Sequence, residues 1–362
     1  MDDLTRFQQL VADEKDKVFD QVAQYNKVDF NTFFHQTIVN QSLKTLAMNF
    51  DAVAQNLKIQ LITSTLQGTY QQVVNYTMNA DTYCNFCRET LKLDPDRKFN
   101  DSSNVMFKGI PARIFAITAP YSPYPLIVIS TAKTPPKTIP SLTPIDEARL
   151  KKVLQGSFLI AGKSGAGKTY LLNYLLNKYY PKTKRLGIIQ EFSEIYPPND
   201  FTDILCTPPR VPGQPYNDLE FLAEQSNLMR YDTILVGEIK SSEAWSFVVN
   251  CASGTKGGCT IHGTNAQKAL QRLRTLCLLA KSNLKEKVVE EFIKDAIDYV
   301  VYVEDGRVKD ICQLMTVNNG NFQLSEVKVD VADADVYETP IKQQPQQQPM
   351  QVPQKKTPFL RF

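Results

Sequence analysis

The residues with the clearest capacity for chemistry run from Gly162 to Thr169, "GKSGAGKT". A glycine, four intervening residues, then glycine, lysine and threonine is the spacing of a phosphate-binding loop. In such a loop the backbone N–H groups of Gly162, Lys163, Ser164, Gly165, Ala166 and Gly167 wrap phosphate oxygens, and the following helix N-terminus adds positive potential. Lys168 then bridges the β- and γ-phosphates of ATP, and Thr169 ligates Mg²⁺. A chance glycine-rich turn is the competing explanation. The flanks argue against it: the apolar run Phe158-Leu159-Ile160 precedes the loop, and "YLLNYLLNKYY" follows with helical spacing.

Three further segments place acids or a histidine beside apolar runs. "DTILVGEIK" carries Ile234, Leu235 and Val236 into Gly237 and Glu238. Glu238 suits the Mg²⁺ shell or the orientation of an attacking water; the alternative is a solvated strand end. "IIQEFSEI" places Glu191 and Glu194 just past another apolar run, where one or both can face the same metal and water. The bland alternative is a polar strand end leading into the "YPPND" turn. Finally, "GGCTIHGTNA" holds His262, one of two histidines in the chain. Alone, such a histidine reads as a hydrogen-bonded core residue. With a nucleotide at the same sheet edge, it reads as a phosphate sensor.

These groups need a scaffold that brings them to one edge. "SFLIAG", "RLGIIQEF", "YDTILVGEI", "GGCTIHG" and "DYVVYVED" are short apolar runs alternating with helical segments. That pattern predicts a largely parallel sheet with helices on its faces, and ligands bind at the carboxyl ends of such strands. Residues 131–144, with four prolines, read as a linker. Ahead of it, residues 1–130 read as α+β. Helical spacing is seen over 4–25 and again from Phe30 through Phe34, Ile38, Leu43, Leu46 and Phe50 to Val53. Strands are expected at Leu57–Leu61, Tyr70–Thr77, on both sides of Gly109, and in "YPLIVIST", with a helix at "ADTYCNFCRETLKL". Residues 145–330 form the α/β unit, and the Gln/Pro-rich 331–362 read as a disordered tail.

Composition removes several classes. Net charge is +3, which is no sign of direct nucleic-acid binding. No run of about eighteen apolar residues is present to span a membrane, and the mixed-charge start lacks the pattern of a signal peptide. The expected location is cytoplasmic. Seven scattered cysteines fit reduced thiols. Cys84 and Cys87 form a lone C-x-x-C without the second pair a zinc site wants, and read as buried helix thiols.

The order of these motifs resembles the secretion ATPase superfamily, the hexameric motors of type II and type IV secretion and of type IV and Tad pili. The resemblance is strong over 145–315 and weaker, though compatible, over 1–130. It implies an N-terminal α+β domain, a proline-bearing linker and a C-terminal RecA-like P-loop ATPase domain. It further implies ATP and Mg²⁺ as cofactors, a homo-oligomeric ring, and a place on the inner face of the cell membrane beside membrane components of a secretion or pilus apparatus. "IIQEFSEI" sits at the family's acidic box, where Gln190 and Glu191 replace a Glu-Asp pair and Glu194 is retained. The glutamate of "LVGEIK" is Glu238, Lys240 stands where an arginine is usual, and "SGTKGGCTIHG" matches the histidine box with His262. By the same resemblance, Arg113 in "GIPARIFAITAPYS" is an N-domain arginine that reaches the phosphates. The catalytic set is thus Glu238, Glu191, Glu194 and His262; Thr169, Glu191 and Glu238 serve the metal; the loop and Arg113 bind nucleotide. The branch implied is type IV secretion and Tad. A nucleic-acid translocase, a non-hydrolysing ATP-binding scaffold and a nucleotide kinase are the rival functions.

Overall fold

Two sheets organise the protein in its computed structural model, which describes residues 29–329 except 40–42, 66–67, 108, 133–134, 140, 208–217, 282 and 319. The helix expected over 4–25 and the Gln/Pro-rich end lie outside the described residues.

The first sheet begins after helix α1 (Phe30–Ile38), whose N-cap Asp29 accepts from the Thr32 amide. Strands β1 (Leu43–Asp51), β2 (Asn56–Thr65) and β3 (Gly68–Thr77) precede helix α2 (Ala80–Glu89). Strands β4 (Phe99–Phe107), β5 (Ile110–Ile117) and β6 (Leu126–Thr131) follow. All pairings are antiparallel, in the order β3-β2-β1-β6-β5-β4. Alternation along each strand puts Met48, Ile59, Ile114 and Ile129 on the face covered by Phe33 and Phe34 of α1 and Tyr83 of α2. The other face carries Arg113, Phe115 and Val128, which are half-buried or exposed.

One expectation fails here. The helical pattern from Phe30 to Val53 ends at Ile38, and residues 43–51 are a strand. The reason is a bulge. Leu43 pairs with Thr63 but Thr45 with Ile62, so Lys44 is an extra residue in β1. The insertion shifts the phase of the buried side chains to Leu43, Leu46, Met48 and Phe50. The three-residue step from Leu43 to Leu46 imitates a helical period within a strand.

The second sheet follows helix α3 (Pro144–Val153), which Thr143 starts with a capping box shared with Asp146. Strand β7 (Phe158–Gly162), helix α4 (Lys168–Tyr179), β8 (Leu186–Gln190), β9 (Thr202–Cys206), helix α5 (Asp218–Ser226) and β10 (Thr233–Ile239) come next. Helix α6 (Glu243–Ala252), β11 (Lys256–His262), helices α7 (Ala266–Ala280) and α8 (Glu286–Ala296), and β12 (Tyr299–Glu304) complete the parallel part. Strands β13 (Arg307–Asn318) and β14 (Asn321–Glu326) were not anticipated; they extend one edge antiparallel. The order is β14-β13-β12-β7-β11-β10-β8-β9. Leu171, Leu172 and Leu175 of α4 cover one face. Phe247 of α6, Leu270 and Leu273 of α7 and Ile293 of α8 cover the other. A parallel sheet sandwiched this way requires apolar residues on both strand faces, and β7, β8 and β12 are buried almost throughout. This is the expected α/β P-loop ATPase fold behind a smaller α+β unit.

Cys84 and Cys87 lie on α2. Cys87 is buried and its thiol is pushed up to about 12 by desolvation, but Cys84 is only half-buried. No helix among the described residues is long and apolar enough to cross a membrane.

Candidate nucleotide site

The loop between β7 and α4 has the backbone its glycines permit. Gly165 and Gly167 sit at φ +74° and +98°, in the left-handed region. Gly162 is required for a different reason: a Cβ there would lie 2.5 Å from the Val303 carbonyl oxygen. The β12–β13 turn braces the loop, with the Gly306 amide donating to the Ala166 carbonyl at 2.9 Å. Lys163, Ser164 and Gly165 are exposed, while Ala166 and Lys168 are buried.

Lys168 Nζ donates to the carbonyls of Gly162 at 3.1 Å and Lys163 at 3.0 Å. It also lies 3.4 Å from His262 Nδ1. Burial pulls its pKa down, opposed by the charges of Glu238 and Glu194. An ammonium held this way gains from a bound anion, which would supply the countercharge its surroundings lack in part.

His262 ends β11, which pairs with β7 in parallel so that His262 stands opposite Gly162. Its Nε2 lies 2.9 Å from Glu238 Oε1. An ammonium can only donate, so Nδ1 accepts from Lys168, and a neutral ring then donates from Nε2 to Glu238. Glu238 reaches this position through a second bulge. Val236 pairs with Cys259 and Ile239 with Ile261, so Gly237 and Glu238 together oppose Thr260. Such an irregularity re-aims a side chain at a strand end. The Thr260 hydroxyl donates to the Gly237 carbonyl at 2.7 Å and holds it there.

The acidic segment separates into three roles. Gln190 is buried, and its Oε1 accepts from the amides of Glu194 and Ile195, both at 3.1 Å. It shapes the turn. Glu191 pairs with Lys240 at 2.5 Å, and Lys240 also lies 4.0 Å from Glu238. Glu194 lies beside Thr169, close enough for its hydroxyl to favour the ionised carboxylate. Burial raises the Glu194 pKa; the Thr169 hydroxyl opposes this, Glu238 adds to it, and the positive charges of Arg113 and Lys168 oppose it. The carboxylate beside Thr169 is therefore Glu194, whereas Glu191 is held by Lys240 and Glu238 by His262. Sequence reasoning assigned the metal to Thr169 with Glu191 and Glu238. The observed neighbour of Thr169 supplies hard oxygen donors of the kind Mg²⁺ prefers.

Arg113 on β5 comes close enough to influence Glu194 from the other sheet. Sequence reasoning missed Lys44. A Cβ built on Gly165 would lie 2.8 Å from Lys44 Nζ, so this ammonium stands over the exposed crest of the loop. The one trace in the sequence is the slipped apolar phase between Leu43 and Leu46.

Residues 141–313 match the model of the Type II/IV secretion system protein family. Type IV secretion system protein PtlH of Bordetella pertussis is 30% identical over 164 residues, covering 44% of this chain and 48% of PtlH. Protein VirB11 of Agrobacterium fabrum is 29% identical over 148 residues, 40% of this chain and 43% of VirB11. The chain thus spans about half the length of these curated relatives. In fold it is similar to the Legionella pneumophila ATPase DotB, with a TM-score of 0.54 at 14% identity over 85% of this chain and 82% of DotB. It is likewise similar to the pilus retraction motor PilT with bound ADP, with a TM-score of 0.54 at 12% identity over 86% of each chain.

Proposed function

We propose, from the match of residues 141–313 to the Type II/IV secretion system protein family, that this chain is an ATP-hydrolysing motor. It works as a hexamer at the cytoplasmic face of the membrane, beside membrane components of a bacterial type IV secretion, conjugation or pilus assembly system. The observation that carries the reading is the connected set Lys168–His262–Glu238, with Glu194 on Thr169, at the carboxyl ends of β7, β8, β10 and β11.

Nucleotide phosphates would draw Lys168 from its loop carbonyls toward the β- and γ-oxygens. Its departure frees His262 Nδ1, which can donate to the γ-phosphate once a proton moves to that nitrogen, with Glu238 facing the other ring nitrogen. Glu238, held by His262 and near Lys240, orients the attacking water and takes its proton. Thr169 and Glu194 would hold Mg²⁺, which neutralises phosphate charge when bound. Arg113 adds a planar cation from the first sheet and makes nucleotide state felt there. On this reading the two sheets are two domains joined through the proline-bearing stretch 131–144, and turnover moves one against the other.

Phosphate release from Mg²⁺-ATP by the purified protein tests the activity. The wild type is expected to turn over. Glu238→Gln should bind ATP with similar affinity yet lose about a hundredfold or more in kcat, since shape survives and the base is gone. An absence of turnover in a wild-type protein that binds ATP tightly would instead favour a non-hydrolysing scaffold.

A further inference from the structure

We propose that Lys44 is a second phosphate-binding lysine, supplied to the P-loop by a β-bulge of the first sheet and selective for the terminal phosphate. Resting on the ATP-binding reading above, the proposal adds a residue to which no motif points.

The local backbone supplies the first argument. Lys44 is the inserted residue of the β1 bulge, between Leu43 paired with Thr63 and Thr45 paired with Ile62. A regular strand would carry it in the ladder; a bulge turns such a residue out of it. The distortion is pinned close by, because the Thr131 hydroxyl donates to the Leu43 carbonyl at 2.8 Å. The bulge belongs to the edge of the sheet that also brings Arg113. Arg113 pairs with Ser130 across β5 and β6, and Ser130 pairs with Thr45 across β6 and β1.

Electrostatics supplies the second. The Lys44 ammonium reaches Gly165, where a Cβ would be 2.8 Å away. That spot is the crest of a loop built to present amide hydrogens to an anion, with buried Lys168 beneath. Among the described residues no carboxylate forms an ion pair with Lys44. A half-buried cation set against converging amide dipoles, near a second cation, is unfavourable until an anion joins them. The ligand that suits this arrangement is a polyphosphate. Lys168 lies at the base of the loop and serves the inner phosphates as well. Lys44 comes from the first sheet to the exposed Gly165 and suits the outermost phosphate, which a nucleoside diphosphate lacks. Glycine at 165 is required by its φ of +74°.

Calorimetry on the full chain with Mg²⁺ tests this, using ADP and a non-hydrolysable ATP analogue as probes. Lys44→Gln should weaken the analogue about tenfold, the loss of one charge-assisted hydrogen bond. ADP should change less than about twofold. Lys44→Arg should restore most of the preference, because the charge stays. Lys44 is half-buried on a bulge, and an unchanged thermal melt would show that Lys44→Gln folds. Equal weakening of both nucleotides, or no change in either, overturns the assignment while leaving the ATPase reading intact. A wild type that binds neither nucleotide overturns both.

Discussion

The two sheets of this molecule are built on opposite rules, and their contributions to the site differ accordingly. The eight-stranded sheet is parallel through six strands and covered on both faces, so its loops gather at one edge. Every acid, the histidine and Lys168 come from that edge. The six-stranded sheet is antiparallel, and among the described residues helices cover one of its faces. It provides cations, Arg113 and Lys44, from its less covered side. On the proposed reading, the difference separates bond-breaking groups from groups that sense charge. A bulge in each sheet does similar work: one turns out Glu238, the other Lys44.

If that division holds, substitutions in the parallel sheet should act on turnover and substitutions in the antiparallel sheet on affinity. The largest effect is expected for Lys168→Ala. Removing the buried cation should abolish measurable hydrolysis, a loss of at least about a hundredfold, and weaken ADP as well as ATP. Near-normal phosphate release from this variant would break the comparison outright. His262→Ala should lower kcat about tenfold, the worth of one charge-assisted hydrogen bond, with ADP affinity nearly unchanged. Equal weakening of ADP and an ATP analogue in calorimetry would return His262 to a purely structural place between Lys168 and Glu238.

Arg113→Ala should raise the Kd for ATP about fivefold, since a partly exposed guanidinium contributes about 1 kcal/mol, and leave kcat at saturation within about twofold. A fall in kcat at unchanged Kd would move Arg113 into the chemistry and blur the division between the sheets. The smallest effect concerns stability. The Glu194 pKa is raised mainly by burial, so the folded state disfavours its ionised form. Its cost is absent below the unfolded pKa, near 4.5, develops as pH rises through the folded value, and is complete above it. Glu194→Gln should therefore melt higher than wild type at pH 8 without nucleotide, with the gain shrinking toward pH 4.5. A gain independent of pH would mean that packing, not ionisation, sets the difference.

The parallel sheet was the more legible of the two. Strands buried on both faces are continuous apolar runs, and each of β7, β8, β10, β11 and β12 could be read where it lies. The phosphate loop needed only its glycines and its flanks. Strands β9, β13 and β14, at the two margins of the sheet, escaped because they are partly exposed and carry mixed residues. In the first sheet, β2, β3, β5, β6 and the end of β4 before Gly109 were recognisable. Strand β1 was not, because one inserted lysine changed its period.

Residue types and spacing by themselves determined that this chain has a phosphate-binding loop, two acidic strand ends and a histidine on one sheet edge. Those features are local, set by a few consecutive residues and the buried strands around them. Only the tertiary structure decided which acid meets which partner. Gln190 holds a turn, Glu191 meets Lys240, Glu194 meets Thr169, and Glu238 meets His262. It alone brought Lys44 to a loop far along the chain, and it set Arg113, to which only the family resemblance pointed, within reach of Glu194. Such pairings depend on strand register and on a bulge, where one residue more or less redirects a side chain, and no local pattern records that choice.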